Sequence, residues 1–138
     1  MSKSSLRSVI GIGIVFNRFD EILIDQRLHG QTMGGLWEFP GGKKELNEDI
    51  EQTISREIFE ELGVHIHVGK QLLAFNYIYT RKQLHFVVHL CKILSGTPKP
   101  LASQKLLWVP PKNLVNYQFP EANDRIIASL FEHLGIQV

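Results

Sequence analysis

The sequence predicts an α/β fold, an α/β/α sandwich in which a mixed β-sheet carries two main helices on its faces. Three observations carry that expectation. Segments with period-two apolar patterning and segments with helical spacing follow one another in the order strands, helix, strands, helix. The 138 residues, 43% of them hydrophobic, suffice for one well-packed core and not comfortably for two, so residues 1–138 read as a single domain. Finally, no repeat, low-complexity tract or linker interrupts the chain.

The elements follow in order. Ser8 to Phe16 is β-branched, with Ile10, Ile12, Ile14 and Phe16 on one face, and a turn at Asn17 to Asp20 leads into EILIDQR as a hairpin. Gly11 and Gly13 do not make a dinucleotide fingerprint, because Phe16 stands where a third glycine belongs and no helix follows. They read instead as places where a helix or ligand approaches the strand closely. A glycine-bearing loop, Leu28 to Leu36, precedes a short extended segment, Trp37 to Pro40, and then the Gly41-Gly42 turn. The first helix starts near Asn47 to Asp49, with Asn47 able to cap it, and stops at Gly63. Its apolar stripe is Ile50, Ile54, Ile58 and Leu62. VHIHV, QLLAFNYIYT and LHFVVHLCKIL then read as strands, the last two separated by a turn at Arg81-Lys82-Gln83. Gly96 to Pro100 breaks the pattern, KLLWV is a short strand ended by Pro110-Pro111, and Glu121 to Leu134 is a second amphipathic helix.

Fifteen basic and 14 acidic residues leave a formal charge of +1, which excludes a polymeric nucleic-acid coat and an acidic disordered tail. The charges are unevenly placed: Leu62 to Pro120 contains no Asp or Glu but seven lysines and arginines, suited to an anionic ligand. Cys91 is alone, so no intrachain disulfide forms and a reducing, cytoplasmic setting is expected. The polar, basic start and short apolar run at the N-terminus make neither a signal peptide nor a membrane span. A monomer or weak homodimer is expected.

Chemistry concentrates on the first helix. Glu57, Glu60 and Glu61 lie at offsets of three and four residues, which places them on one helix face. Clustered carboxylates repel one another, and a divalent cation offsets that repulsion. Ligands made only of oxygen suit Mg²⁺, with Mn²⁺ as a substitute. The histidine pairs His65/His67 and His85/His89 lack the partners of a zinc set and read as ordinary strand residues.

From Gly42 to Val64 the chain matches each fixed position of the pattern Gx5Ex7REUxEExGU, where U is a bulky aliphatic residue. It resembles the Nudix hydrolases, and the resemblance implies a Mg²⁺-dependent hydrolase of nucleoside diphosphates linked to another group. Glu57, Glu60 and Glu61 would then be the catalytic, metal-holding carboxylates, joined by the backbone carbonyl of Gly41. Glu57 is the candidate base. Gly42, Glu48 and Arg56 would be structural, the arginine's fork holding the box carboxylates. Some relatives carry a further acid before the strand holding Trp108; here that loop reads Pro100 to Lys105, where Gln104 can at most orient water.

Two outlying segments, WEFPGGK from Trp37 and YQFPEAN from Tyr117, resemble the MutT group, which hydrolyses 8-oxo-dGTP to the monophosphate and pyrophosphate and so sanitises the nucleotide pool. That resemblance implies a small-molecule nucleotide substrate, with Asn123 reading the purine edge, Phe39 packing on the base and Arg27 hydrogen-bonding it. Beside the glycine turn, Lys43 or Lys44 could meet a phosphate, the alternative being that both are solvated surface lysines. The alternatives are a Nudix enzyme for another nucleotide or dinucleotide, and a non-catalytic 8-oxoguanine-reading domain.

Overall fold

The computed structural model describes residues 7–137. The basic start read above as no signal peptide falls largely on residues 1–6, outside the described residues. Seven strands form one sheet: β1 (Arg7–Phe16), β2 (Ile22–Gln26), β3 (Trp37–Glu38), β4 (Gly41–Lys43), β5 (His65–Tyr79), β6 (Lys82–Ser95) and β7 (Lys105–Val109). The main path runs β3-β2-β1-β6-β5, with β4 paired to β1 and β7 to β2. β1 and β6 are parallel and the other pairs antiparallel, so the sheet is mixed as expected.

Alternation along β1 separates two cores. Ile12 and Ile14 join Phe75, Val88 and helix α2 (Asn123–Leu134) on one face, whereas Val15 joins Leu23, Cys91 and helix α1 (Ile50–Leu62) on the other. The helices therefore cover opposite faces of the sheet. Gly11 and Gly13 let α1 lie against β1: a Cβ on Gly11 would stand 2.9 Å from Ile54 Cγ1, and one on Gly13 2.6 Å from Ile58 Cδ1. Ile54 and Ile58 are fully buried in that contact, and truncating either to alanine costs about 2–5 kcal/mol.

Local chemistry moved three boundaries. Asp49, not Asn47, caps α1: its carboxylate accepts from the Gln52 N–H while the Gln52 side chain returns to the Asp49 N–H. The segments VHIHV and QLLAFNYIYT fuse into one bulged strand, β5, because both pair with β6. The β5–β6 turn is Thr80-Arg81, both at positive φ, one residue earlier than the charge pattern suggested. Pro110 ends β7 and Pro111 opens a short 3₁₀ segment, Pro111–Asn116. α2 begins at Asn123, and its last predicted core residue, Leu134, is exposed. Among the described residues no helix is long and apolar enough to cross a membrane.

Candidate active site

Strand β4 and helix α1 are tied together by one arginine. Arg56 donates through Nε and Nη2 to both oxygens of Glu48, and through Nη2 to the Lys43 carbonyl at 3.1 Å. Its Nη1 donates to Glu57 Oε2 at 3.0 Å and Glu60 Oε1 at 3.2 Å. Glu48 also accepts from the Glu45 N–H and the Thr53 hydroxyl, and with the Arg56 fork these bonds pull its pKa down to about 2. Gly42 lies under the same network: a Cβ there would occupy the space of the Glu57 carboxylate. At Gly41, with φ of 155°, a Cβ would run into the backbone of Gly11.

Glu61 faces the turn from α1, its Oε1 accepting from the Gly41 N–H at 3.2 Å. Burial raises its pKa first, then the nearby charges of Asp25, Glu57 and Glu38, against the lowering effect of the Gly41 N–H. Asp25 on β2 is only 5% exposed, and burial followed by the facing Glu38 carboxylate raises its pKa too. A helix and two strands thus converge on a pool of acid short of positive charge. Among the described residues no three acids or histidines already form a finished cage, because Glu57 and Glu60 are both turned onto Arg56. Hard oxygen donors and an uncompensated buried carboxyl nevertheless fit a divalent cation.

Next to this pool lies a cavity of 380 Å³ lined in part by Arg27, Glu38, Tyr77, Phe86, Glu121 and Asn123. Two aromatic contacts assemble it: Trp37 meets Tyr117 edge-on at 5.5 Å, and Phe39 stacks on Phe119 at 5.1 Å. The Trp37 N–H also donates to the Gln118 carbonyl at 2.9 Å. The two outlying sequence segments are therefore one packed unit that brings Asn123 opposite Arg27. Arg27 donates to the Thr32 carbonyl at 2.9 Å and pairs with Glu38 at 3.1 Å, while the Asn123 amide donates to the Pro120 carbonyl at 3.2 Å. Glu38 belongs to both the cavity and the acid pool.

Residues 11–129 match the family model of the NUDIX domain. The chain belongs to the Nudix family. It is 35% identical over 121 residues to an 8-oxo-dGTP diphosphatase of Haemophilus influenzae, covering 88% of this chain and 89% of that one. It is 30% identical over 112 residues to the CTP pyrophosphohydrolase of Escherichia coli, covering 81% and 83%. A solved MutT from work on Aliivibrio salmonicida and Vibrio cholerae superposes with a TM-score of 0.69 at 36% identity, over 92% of this chain and 98% of that one. The protein is a Nudix pyrophosphohydrolase of MutT type, so the non-catalytic reading falls.

Within this Nudix site the predicted residues separate. The structure brings together Gly41, Gly42, Glu48, Arg56, Glu57, Glu60 and Glu61 at the turn, and Arg27 and Asn123 at the cavity. Phe39 is elsewhere: at 4% exposure and stacked on Phe119, it lies in the core and not on the cavity wall. Lys43 is exposed on β4 and outside the cavity; its carbonyl, not its ammonium, holds Arg56. Gln104 is occupied in bracing the Arg27 carbonyl at 2.8 Å. Asp25 and Glu38 were missed by sequence reasoning, although the signal was present: Asp25 ends the apolar run Ile22-Leu23-Ile24 where the period-two pattern calls for another buried side chain. A larger concavity of 1230 Å³, bordered by Arg18, His67, Lys70 and Lys92, contains none of the box carboxylates.

Proposed function

We propose that this Nudix enzyme is a Mg²⁺-dependent nucleoside triphosphate pyrophosphohydrolase whose substrate is 8-oxo-dGTP, cleaved to 8-oxo-dGMP and pyrophosphate. The observation that carries it is the junction at Glu38, which joins a base-sized cavity holding Arg27 and Asn123 to the acid pool around Gly41. Nudix hydrolases generally use divalent metal ions; here Glu57, Glu60 and Glu61 with the Gly41 carbonyl would hold the ion, and Mn²⁺ would substitute. When bound, it supplies charge neutralisation of the phosphate oxygens and acidifies water.

The chain's own residues do the rest. Arg56 aims Glu57 and Glu60 by pairing its Nη1 with both carboxylates. Glu57 takes the proton of the attacking water as a phosphoanhydride P–O bond breaks and pyrophosphate leaves. At the cavity end, the Asn123 amide can donate to the purine oxygen and accept the N7 hydrogen that an 8-oxo base carries and an ordinary guanine lacks. Such paired contacts discriminate by about 1–3 kcal/mol, or roughly fivefold to 150-fold. Phe39 contributes by supporting Phe119 and the Pro120–Asn123 segment from the core.

A panel of 8-oxo-dGTP, dGTP, 8-oxo-GTP, CTP and ADP-ribose at low concentration with Mg²⁺, scored for pyrophosphate against phosphate release, tests this. The reading expects pyrophosphate and the highest kcat/KM for 8-oxo-dGTP; equal values for dGTP would refute it. The second reading, a pyrimidine triphosphate such as CTP, is favoured by the E. coli relative and predicts CTP at the head of the panel.

A further inference from the structure

We propose that Asp25 is an additional cation ligand of this enzyme, a carboxylate that β2 contributes from outside the glycine-to-helix motif. The proposal rests on the reading that Glu57, Glu60 and Glu61 hold the metal, and deepens it. Alternation fixes where Asp25 points. Ile22 and Ile24 belong to the α2-side core and Leu23 to the α1-side core, so Asp25, two residues after Leu23, is on the face covered by α1. Across the β2–β3 ladder its register partner is Glu38.

Its chemical situation is unusual for a core position. Asp25 is 5% exposed, and its Oδ2 is buried with no hydrogen-bond donor. Burying a carboxylate oxygen unpaired is strongly unfavourable, and a threonine or valine would fill this place at no such cost. The neighbours make matters worse: Glu38 faces it directly, and Asp25 is the nearby charge that Glu61 feels most. Arg27, the cation at hand, is engaged with Glu38 and the Thr32 carbonyl. Glu38 thus has a donor and Asp25 Oδ2 has none, and a shared metal ion would offset the repulsion between the two facing carboxylates. Glu61, already assigned to the metal and anchored on the Gly41 N–H, borders the same space, and an ion there is coordinated by hard oxygens from a helix and a strand together. The acid pool is thereby closed from below by β2 as well as from above by α1.

Mn²⁺ binding to the wild-type protein, Asp25→Asn and Glu57→Gln, followed by electron paramagnetic resonance of the free ion, tests the proposal with no turnover involved. Asp25→Asn is expected to weaken Mn²⁺ binding at least tenfold, and Glu57→Gln to weaken it as well. Binding by Asp25→Asn within twofold of wild type, with Glu57→Gln weakened, overturns the Asp25 assignment alone. If both variants bind normally, the motif reading itself fails and takes the proposal with it. Should Asp25→Asn not fold, the wild-type protein carrying ¹³C at the aspartate carboxyls answers the same question. One of its four aspartate resonances should broaden ahead of the others at substoichiometric Mn²⁺, and uniform broadening would contradict the assignment.

Discussion

The two ends of the site are built in opposite ways. The acid end is nearly contiguous in sequence: Gly41 to Glu61 supplies a turn and a helix face, and a single residue, Arg56, locks them together. The cavity end is assembled from the β2–β3 region, β5, β6 and the segment before α2, held by aromatic contacts between Trp37 and Tyr117 and between Phe39 and Phe119. A reaction shared by many substrates can reside in a short, rigid motif. The choice of substrate is better placed where separate segments can each change without disturbing the chemistry.

That contrast can be broken or sharpened by substitution. Glu61→Gln should have the largest effect, lowering kcat by about 10²–10³-fold by removing a ligand of the cation that would neutralise the phosphate oxygens, while leaving the preference among nucleotides unchanged. Turnover within twofold of wild type would remove Glu61 from the acid end. Gly42→Ala should lower kcat about 10–100-fold, because the new methyl displaces the Glu57 carboxylate rather than removing it; the melting temperature should move little. Gly13→Ala forces α1 off β1 and should cost about 1–3 kcal/mol of stability in urea unfolding, with kcat and preference retained at temperatures where the protein is folded. If preference changes with it, the helix and the cavity are mechanically coupled and the two ends are not independent.

The smallest effect concerns pH. Glu48 titrates near 2 in the folded protein and near 4.5 when unpaired, so its bond to Arg56 stabilises the fold above pH 4.5 and that contribution is lost as pH falls toward 2. Thermal melts of Glu48→Gln should therefore be less pH-dependent than wild type across that window. Parallel curves would show that Arg56 finds another partner.

Legibility in the sequence follows the same division. The helix and its apolar stripe were readable because their spacing is fixed by helix geometry, whereas the roles of Gly42, Glu48 and Arg56 came with the Nudix resemblance. The alternation of β1 was readable from its period of two, and Gly11 and Gly13 were readable as places where a helix or a ligand approaches closely; the structure shows α1 there. Asn123 and Arg27 were readable only as separate motif residues. Nothing in their spacing says that Tyr117 packs on Trp37, and that contact is what sets them across one cavity. Phe39 could be read as core or as ligand wall, since an aromatic beside a glycine turn suits both, and the structure stacks it on Phe119 within the core. Asp25 and Glu38 were invisible as a pair because their partnership is a strand register, which a sequence does not print.

The most direct measurement of the division between the two ends is a competition of 8-oxo-dGTP against dGTP in one reaction, run on wild type, Glu57→Gln and Asn123→Ala. Glu57→Gln should slow both substrates alike and leave the kcat/KM ratio unchanged, whereas Asn123→Ala should collapse the ratio about tenfold or more while dGTP turnover persists. A ratio that survives Asn123→Ala, or one that collapses in Glu57→Gln, would contradict it.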